Sequence, residues 1–369
     1  MLTVLHVLQR NRYFGPKAAT SVDLCTRELV EGSAFRERTH VAGPSVSEPF
    51  SGYQFHGFDA EDWVQNGRRA AAVCRLSRVI KPDVVVVQEN LKTASQVALR
   101  QQHIPVILQT HNFHKCIPVT GVFARLRHEL RRRRYHSTAA ITFVSEACLA
   151  DFQRNWRIDT PVSVLPNGMS FDDWRAKDER SCTVLMVGRS APEKGLLQGA
   201  QAISMSLRVH PKWRAHIILS EVHVYPEYTK KIYNALSGLE GRVKICVQQP
   251  YNVVKEAYED AAIALVPSVW EEPFGRTALE AHAGGAALIS SGRGGLREVS
   301  GDGAIYVSNV TAAAWSAAIS KAMSGETCIT RLAQRGTAYA RSRYSLSVVA
   351  GDMDRLLQRV ADSRAGDRS

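Results

Sequence analysis

Ten unbroken apolar runs, the helix-length segments between them and a length of 369 residues make this an α/β chain of two doubly wound parallel sheets. Strands that read apolar on both faces are strands covered by helices on both sides. One hydrophobic core rarely serves a chain this long, so two domains are expected.

In chain order, the first half supplies "LTVLHVL" from Leu2, "DVVVVQ" from Asp83, "PVILQTH" from Pro105 and "AAITFVS" from Ala139. The second supplies "CTVLMVGR" from Cys182, "RAHIILS" from Arg214, "RVKICV" from Arg242, "AIALVPS" from Ala262, "AALISS" from Ala286 and "AIYVS" from Ala304. Between them, Pro166-Asn167-Gly168 is a turn signal followed by a polar stretch, which puts the boundary there. The expected domains are therefore 1–167 and 168–342. Residues 343–369 read as an amphipathic terminal helix that packs back on the first domain and ends in a frayed, charged tail.

Hydrophobic residues make up 45% of the chain and charged residues 22%, the balance of a soluble globular protein. Seven cysteines are scattered without a Cys-x-x-Cys pair, which argues against a disulfide framework or a zinc knuckle and for a reducing compartment. No stretch approaches the roughly 18 apolar residues of a spanning helix. The expectation is a cytoplasmic protein whose only membrane attachment is peripheral, at the inner face of the cytoplasmic membrane. A net charge of +12 favours anionic partners without choosing among them.

Two stretches carry chemistry. "GRSAPEKG", Gly188 to Gly195, sets Arg189 and Lys194 on one loop between a strand and a helix. That arrangement suits a diphosphate, through fixed charge and backbone amides together; alone it reads as a solvated loop with two surface cations. "VPSVWEEPFGRTALEAHAGG" turns from a strand into a helix at Phe274, Gly275 and Arg276, with Glu272 and Glu280 eight residues apart. Ionised glutamates accept from vicinal hydroxyls, so the pair reads as two polyol clamps or, alone, as two solvent-facing carboxylates.

Together with "VLPNG", "GGLREV" and "THN" after the Pro105 strand, these motifs resemble the retaining glycosyltransferases of family 4, in that family's order over most of the chain. The resemblance implies the GT-B architecture: two Rossmann-like domains facing a central cleft, with a nucleotide-diphosphate sugar such as a UDP- or GDP-sugar held mainly by the second. It implies that Arg189 and Lys194 neutralise the diphosphate, that Glu272 holds hydroxyls of the donor sugar and that Glu280 holds the ribose. The amides of Phe274, Gly275 and Arg276 contact sugar or phosphate, and His111 lies near the reacting carbon. No metal or other cofactor is implied. The acceptor is a glycan or lipid-linked glycan, as in lipopolysaccharide or exopolysaccharide synthesis. Alternatives are a GT-B sugar-nucleotide epimerase and a non-catalytic nucleotide-sugar-binding subunit of a glycan-assembly complex.

Three places depart from the family pattern. "NRYFGPKAATS" has a single Gly15 where a Gly-Gly loop is common, and Lys17 either replaces amide donors with charge or sits on a surface turn. Arg276 replaces an aliphatic residue, and Ala287 stands where proline is usual. His114, three residues past His111, reads as a bystander. The segment from Cys246, "CVQQPYNVVKEAYEDA", is the base pocket that the resemblance implies.

Finally, "ARLRHELRRRRYHS" places Arg125, Arg127, Arg131, Arg132, Arg133 and Arg134 on one helix, with Leu126 and Leu130 on another face. It fits an anionic membrane surface or a solvated basic helix. Nucleic acid is not expected, since no aromatic residues interleave with the arginines.

Overall fold

The computed structural model describes residues 1–9, 13–17, 19–114 and 120–366, with side chains to 363. The chain divides into two compact units: Met1–Met169 with Leu346–Ser369, and Ser170–Ser345. Each is a parallel sheet with helical crossovers.

The first unit has seven strands: β1 (Val4–Val7), β2 (Thr39–Pro44), β3 (Gln54–Phe58), β4 (Val84–Gln88), β5 (Val106–Thr110), β6 (Ala140–Phe143) and β7 (Val162–Val164), in the order β3-β2-β1-β4-β5-β6-β7. Central strands β1, β4, β5 and β6 are buried at every position, which is why they read as continuous apolar runs. Register is set by Val-rich pairs such as Val4 with Val84 and Val85 with Val106. The Leu346–Gly366 helix lays Val349, Met353, Leu357 and Val360 against Val4, Val84 and Ile107, so this core is closed by a segment far away in sequence.

The second unit has six strands: β8 (Ser181–Arg189), β9 (Arg214–Ser220), β10 (Val243–Val247), β11 (Ala261–Val266), β12 (Ala287–Ser290) and β13 (Ala304–Tyr306), in the order β10-β9-β8-β11-β12-β13. Its core gathers Val184, Met186, Ile217, Leu219, Ile263, Leu265 and Trp315. Both orders reverse direction at a central pair, β1/β4 and β8/β11. Crossovers leave these pairs to opposite sides, which opens a crevice at the carboxyl ends of the strands.

β2, β3 and β7 are strands that the apolar runs did not announce, and β7 lies just before the Pro166-Asn167-Gly168 turn read as the boundary. "QFHGF" is half polar and β7 is only three residues long; both are edge strands, where one neighbour and partial solvation suffice. Among the described residues no helix is long and apolar enough to cross a membrane.

Candidate functional site

In the second unit the site builds from the β8/β11 crevice. β8 ends at Arg189; a short 3-10 turn, Pro192–Lys194, then leads into the Leu196–Val209 helix. Gly195 closes that turn at φ 65°, and a Cβ there would stand 2.0 Å from the Pro267 carbonyl oxygen. Only glycine permits this approach, and it carries Lys194 to the segment that follows β11.

There Lys194 Nζ donates to both oxygens of Glu272, at 2.7 and 3.0 Å. The Ser268 hydroxyl donates to Glu272 Oε1, and the Trp270 ring lies 5.2 Å from the ammonium. Glu272 is 7% exposed, so the pair is largely desolvated. Such a pair holds well while both partners are present and is costly when one is removed. The backbone of Glu272 is fixed from the other side: Gly295 N donates to its carbonyl at 2.8 Å, and Gly294 bridges it. Gly294 has φ 58°, and a Cβ there would meet the Glu272 carbonyl oxygen at 2.2 Å. Gly294 and Gly295 of "GRGGLREV" thus serve the carboxylate residue Glu272, far upstream.

Gly275, at φ 109°, opens the Arg276–Ala283 helix, and no side chain caps that end. An uncapped amino end suits an anion. Phe274 is buried edge-on against Tyr344 at 5.5 Å and anchors the turn. One helical turn on, Glu280 accepts from Arg276 Nε at 3.2 Å; Glu280 is buried, Arg276 is partly so, and Arg276 also reaches the Tyr251 hydroxyl at 3.4 Å. Tyr251 belongs to the segment expected to line a base pocket, so Arg276 ties that segment to Glu280. Arg189 pairs with Glu193 at 3.2 Å and Glu221 at 3.4 Å and is half exposed. The sequence showed the charges but not that each cation has a carboxylate partner of its own.

In the first unit, His111 follows β5 and is 8% exposed. Its Nε2 donates to Gln88 Oε1 at 2.7 Å, and Gln88 Nε2 donates to Gln109 Oε1 at 2.9 Å. The amide acceptor fixes the proton on Nε2 and leaves Nδ1 as the basic nitrogen. The His111 backbone amide and Asn112 Nδ2 both donate to Glu89 Oε1, and Glu89 itself sits at φ 61°. Gln88 and Glu89 end the run "DVVVVQEN" and escaped the sequence reading because a strand-end amide looks like packing. The one available signal was polar residues closing an apolar run at the strand's carboxyl end.

His114 is a core residue: it shares a 2.7 Å hydrogen bond with Tyr135 and sits among Phe143 and Phe152. Burial, helped by Arg131, lowers its pKa to about 4. Lys17 lies on an exposed ion pair with Glu48 at 2.7 Å, while residues 10–12 and 18 of that loop fall outside the described residues. Cys116 falls outside them too; the six described cysteines are free.

The arginine run is the Val122–His136 helix. Arg131 stacks over Trp156 at 5.3 Å, and Arg132 and Arg133 pair with Glu129. Val122, Phe123, Leu126 and Leu130 face solvent, at 79%, 81%, 57% and 43% exposure.

The glycosyltransferase family 4 model matches residues 21–173, and the glycosyl transferases group 1 model matches residues 171–343. The lipopolysaccharide 1,2-N-acetylglucosaminetransferase of Salmonella typhimurium is 23% identical over 236 residues, covering 60% of this chain and 57% of that protein. The chain thus spans little more than half the length of that relative. The solved sucrose-phosphate synthase of Thermosynechococcus elongatus superimposes with a TM-score of 0.77 at 16% identity, over 98% of this chain and 100% of that one. An Anabaena protein, HepE, solved with UDP and glucose, gives 0.74 at 16% identity over 97% and 100%. These likenesses establish a common fold.

Proposed function

Since the chain belongs to the glycosyltransferases of the GT-B fold in which a family 4 module precedes a group 1 module, we propose that it moves a sugar from a nucleotide-diphosphate sugar to a glycan or glycolipid acceptor. The anomeric configuration is retained and no metal is needed. The observation that carries this reading is the buried Lys194–Glu272 pair at the β8/β11 crevice, with Arg189 and the uncapped Arg276–Ala283 helix beside it.

In this reading Lys194 and Arg189 take the diphosphate. Glu272, still held by Ser268, accepts from hydroxyls of the donor sugar, and Glu280 accepts from the ribose. The amides of Phe274, Gly275 and Arg276 line the sugar and phosphate. The bond from the anomeric carbon to the diphosphate breaks, and its electron pair goes to the leaving oxygen. The acceptor oxygen bonds to the same face of that carbon, and its proton passes to the leaving phosphate. Cations fixed where negative charge develops are worth several kcal/mol, on the order of 3 for one donor. His111, its Nε2 committed to Gln88, is assigned a place near the reacting carbon. Arg276 holds Glu280, which makes the departure from an aliphatic residue a positioning device for the ribose clamp.

The acceptor is lipid-linked, of the kind used in lipopolysaccharide or exopolysaccharide assembly, and is met at an anionic membrane surface. Four exposed apolar residues on a helix with Arg125, Arg127 and Arg134 support this, because such a face buries its apolar side at the headgroup boundary while cations meet the lipid charge.

Thermal shifts with UDP, GDP, ADP and CMP and their sugar conjugates, each with and without EDTA, test the donor reading. One nucleoside diphosphate that stabilises the protein despite the chelator, and more so with its sugar, is the expected result. Product NMR should then show a retained anomer. No shift with any nucleotide would refute transfer and favour a scaffold role, whereas free epimer formed without acceptor would identify an epimerase.

A further inference from the structure

At the β8/β11 crevice Lys194 is matched by Glu272, Arg276 by Glu280, and Arg189 by Glu193 and Glu221. Arg293 is matched by no carboxylate. It stands in the loop between β12 and the Gly295–Ser300 helix, next to Gly294, which bridges Glu272. Its side chain is half-buried, and one guanidinium nitrogen donates to the Val269 carbonyl at 2.9 Å. Among the described residues it has no ion pair and no further hydrogen bond; Glu271, exposed on the adjoining loop, is not within ion-pair reach.

The bond to Val269 fastens the loop, but a neutral glutamine could make it. A cation that gives up part of its water for one carbonyl carries a cost that the loop does not return. Its remaining N–H donors therefore call for an anion from outside the protein, and sheet order says which part of a ligand meets them. The strands run β8-β11-β12, so the loops that follow them carry Lys194, Glu272 and Arg293 in that order. Val269 is gripped from both sides: its amide donates to the Glu193 carbonyl at 3.0 Å, beside Lys194, and its carbonyl accepts from Arg293. Arg293 thus reaches the Glu272 segment from the flank opposite Lys194. A diphosphate on Lys194 and Arg189 leaves that flank to the sugar.

Resting on the transfer reading above, we propose that Arg293 selects a donor whose sugar is acidic: a hexuronic acid, with its carboxylate on the guanidinium and a hydroxyl on Glu272. The planar fork of an arginine matches a carboxylate in two parallel hydrogen bonds.

Calorimetric titration of the full chain tests it with two series: UDP, UDP-glucose and UDP-glucuronic acid, and GDP, GDP-mannose and GDP-mannuronic acid. Within each series the two sugars differ only in the carboxylate. In one series the acidic conjugate should bind about tenfold more tightly than the neutral one. Arg293→Gln, which keeps a donor for Val269, should bring that ratio to about one while the bare nucleoside diphosphate binds as before. Arg293→Lys keeps the charge and should keep most of the preference; its loss in both variants would mark a loop defect and overturn the proposal. Equal binding of acidic and neutral conjugates by the parent overturns it too. So does an Arg293→Gln variant that weakens bare UDP or GDP as much as the acidic conjugate, which would make Arg293 a diphosphate ligand. Each of those results leaves the transfer reading standing. If no conjugate of either series binds, the proposal falls, and the transfer reading falls with it unless another nucleotide sugar binds.

Discussion

The two units hold their candidate residues by opposite means. At β8/β11 the geometry is ionic: Lys194 on Glu272, Arg276 on Glu280, Arg189 on Glu193 and Glu221. At β4/β5 it is neutral: an imidazole on an amide on a second amide, His111 to Gln88 to Gln109. On the proposed function, charges that meet a diphosphate exchange partners when it arrives, whereas a group that needs only a fixed tautomer is better held by amides that never titrate. The same parallel-sheet edge would then serve exchange in one unit and orientation in the other.

Breaking the ionic side should cost most. Lys194→Ala removes a cation from the diphosphate and leaves Glu272 buried without its partner. We expect transfer to fall about 10³-fold and stability by about 3 kcal/mol. Adding Glu272→Gln should restore most of the stability and none of the rate, as urea unfolding and steady-state kinetics would reveal.

On the neutral side, Gln88→Leu should lower kcat roughly 100-fold with little change in KM for the donor. Nucleotide binding, proposed above for the other unit, should hold constant; a parallel loss would mean a general packing defect.

Gly294→Ala sharpens the contrast by disturbing Glu272 through backbone alone. The strained φ and the 2.2 Å approach to the Glu272 carbonyl predict a loss of about 2 kcal/mol and weaker sugar discrimination, with affinity for bare UDP nearly kept.

Acid should separate the units more gently. Burial lowers His6 and His114 in the first unit and His282 in the second to about 4, against 6.5 for a free imidazole. Each is neutral when folded and charges more readily when unfolded. The stability it contributes is therefore full above pH 6.5 and is lost as pH falls from 6.5 toward 4, on the order of 1–2 kcal/mol per group by pH 5. With two such groups against one, hydrogen exchange at pH 7 and pH 5 should show the first unit loosening more. The smallest effect is peripheral: Phe123→Asp with Leu126→Asp should reduce pelleting with anionic vesicles a few-fold and leave UDP binding untouched.

The central strands were legible because burial on both faces forces continuous apolar runs, and the charged motifs because loop cations and spaced glutamates stand out from their surroundings. Edge strands such as β3 and β7 were not, since half-solvated pairing tolerates "QFHGF". Gln88, Glu89, Ser268 and Trp270 stayed hidden for a different reason: each acts on another residue, and a partner far away in sequence leaves no spacing to read. The "GGLREV" motif was recognisable, while its service to the backbone of Glu272 needed coordinates.

The Leu346–Gly366 helix gives the molecule a timetable. During synthesis the strands of the first unit leave the ribosome early, yet Val349, Met353 and Leu357, which roof Val84 and Ile107, emerge only after all 176 residues of the second unit, Ser170–Ser345. The first sheet therefore waits with part of its apolar face uncovered while the second folds as a continuous insert. A fragment ended at Met169 should be sticky and poorly folded, whereas one spanning Ser170–Ser345 should stand alone.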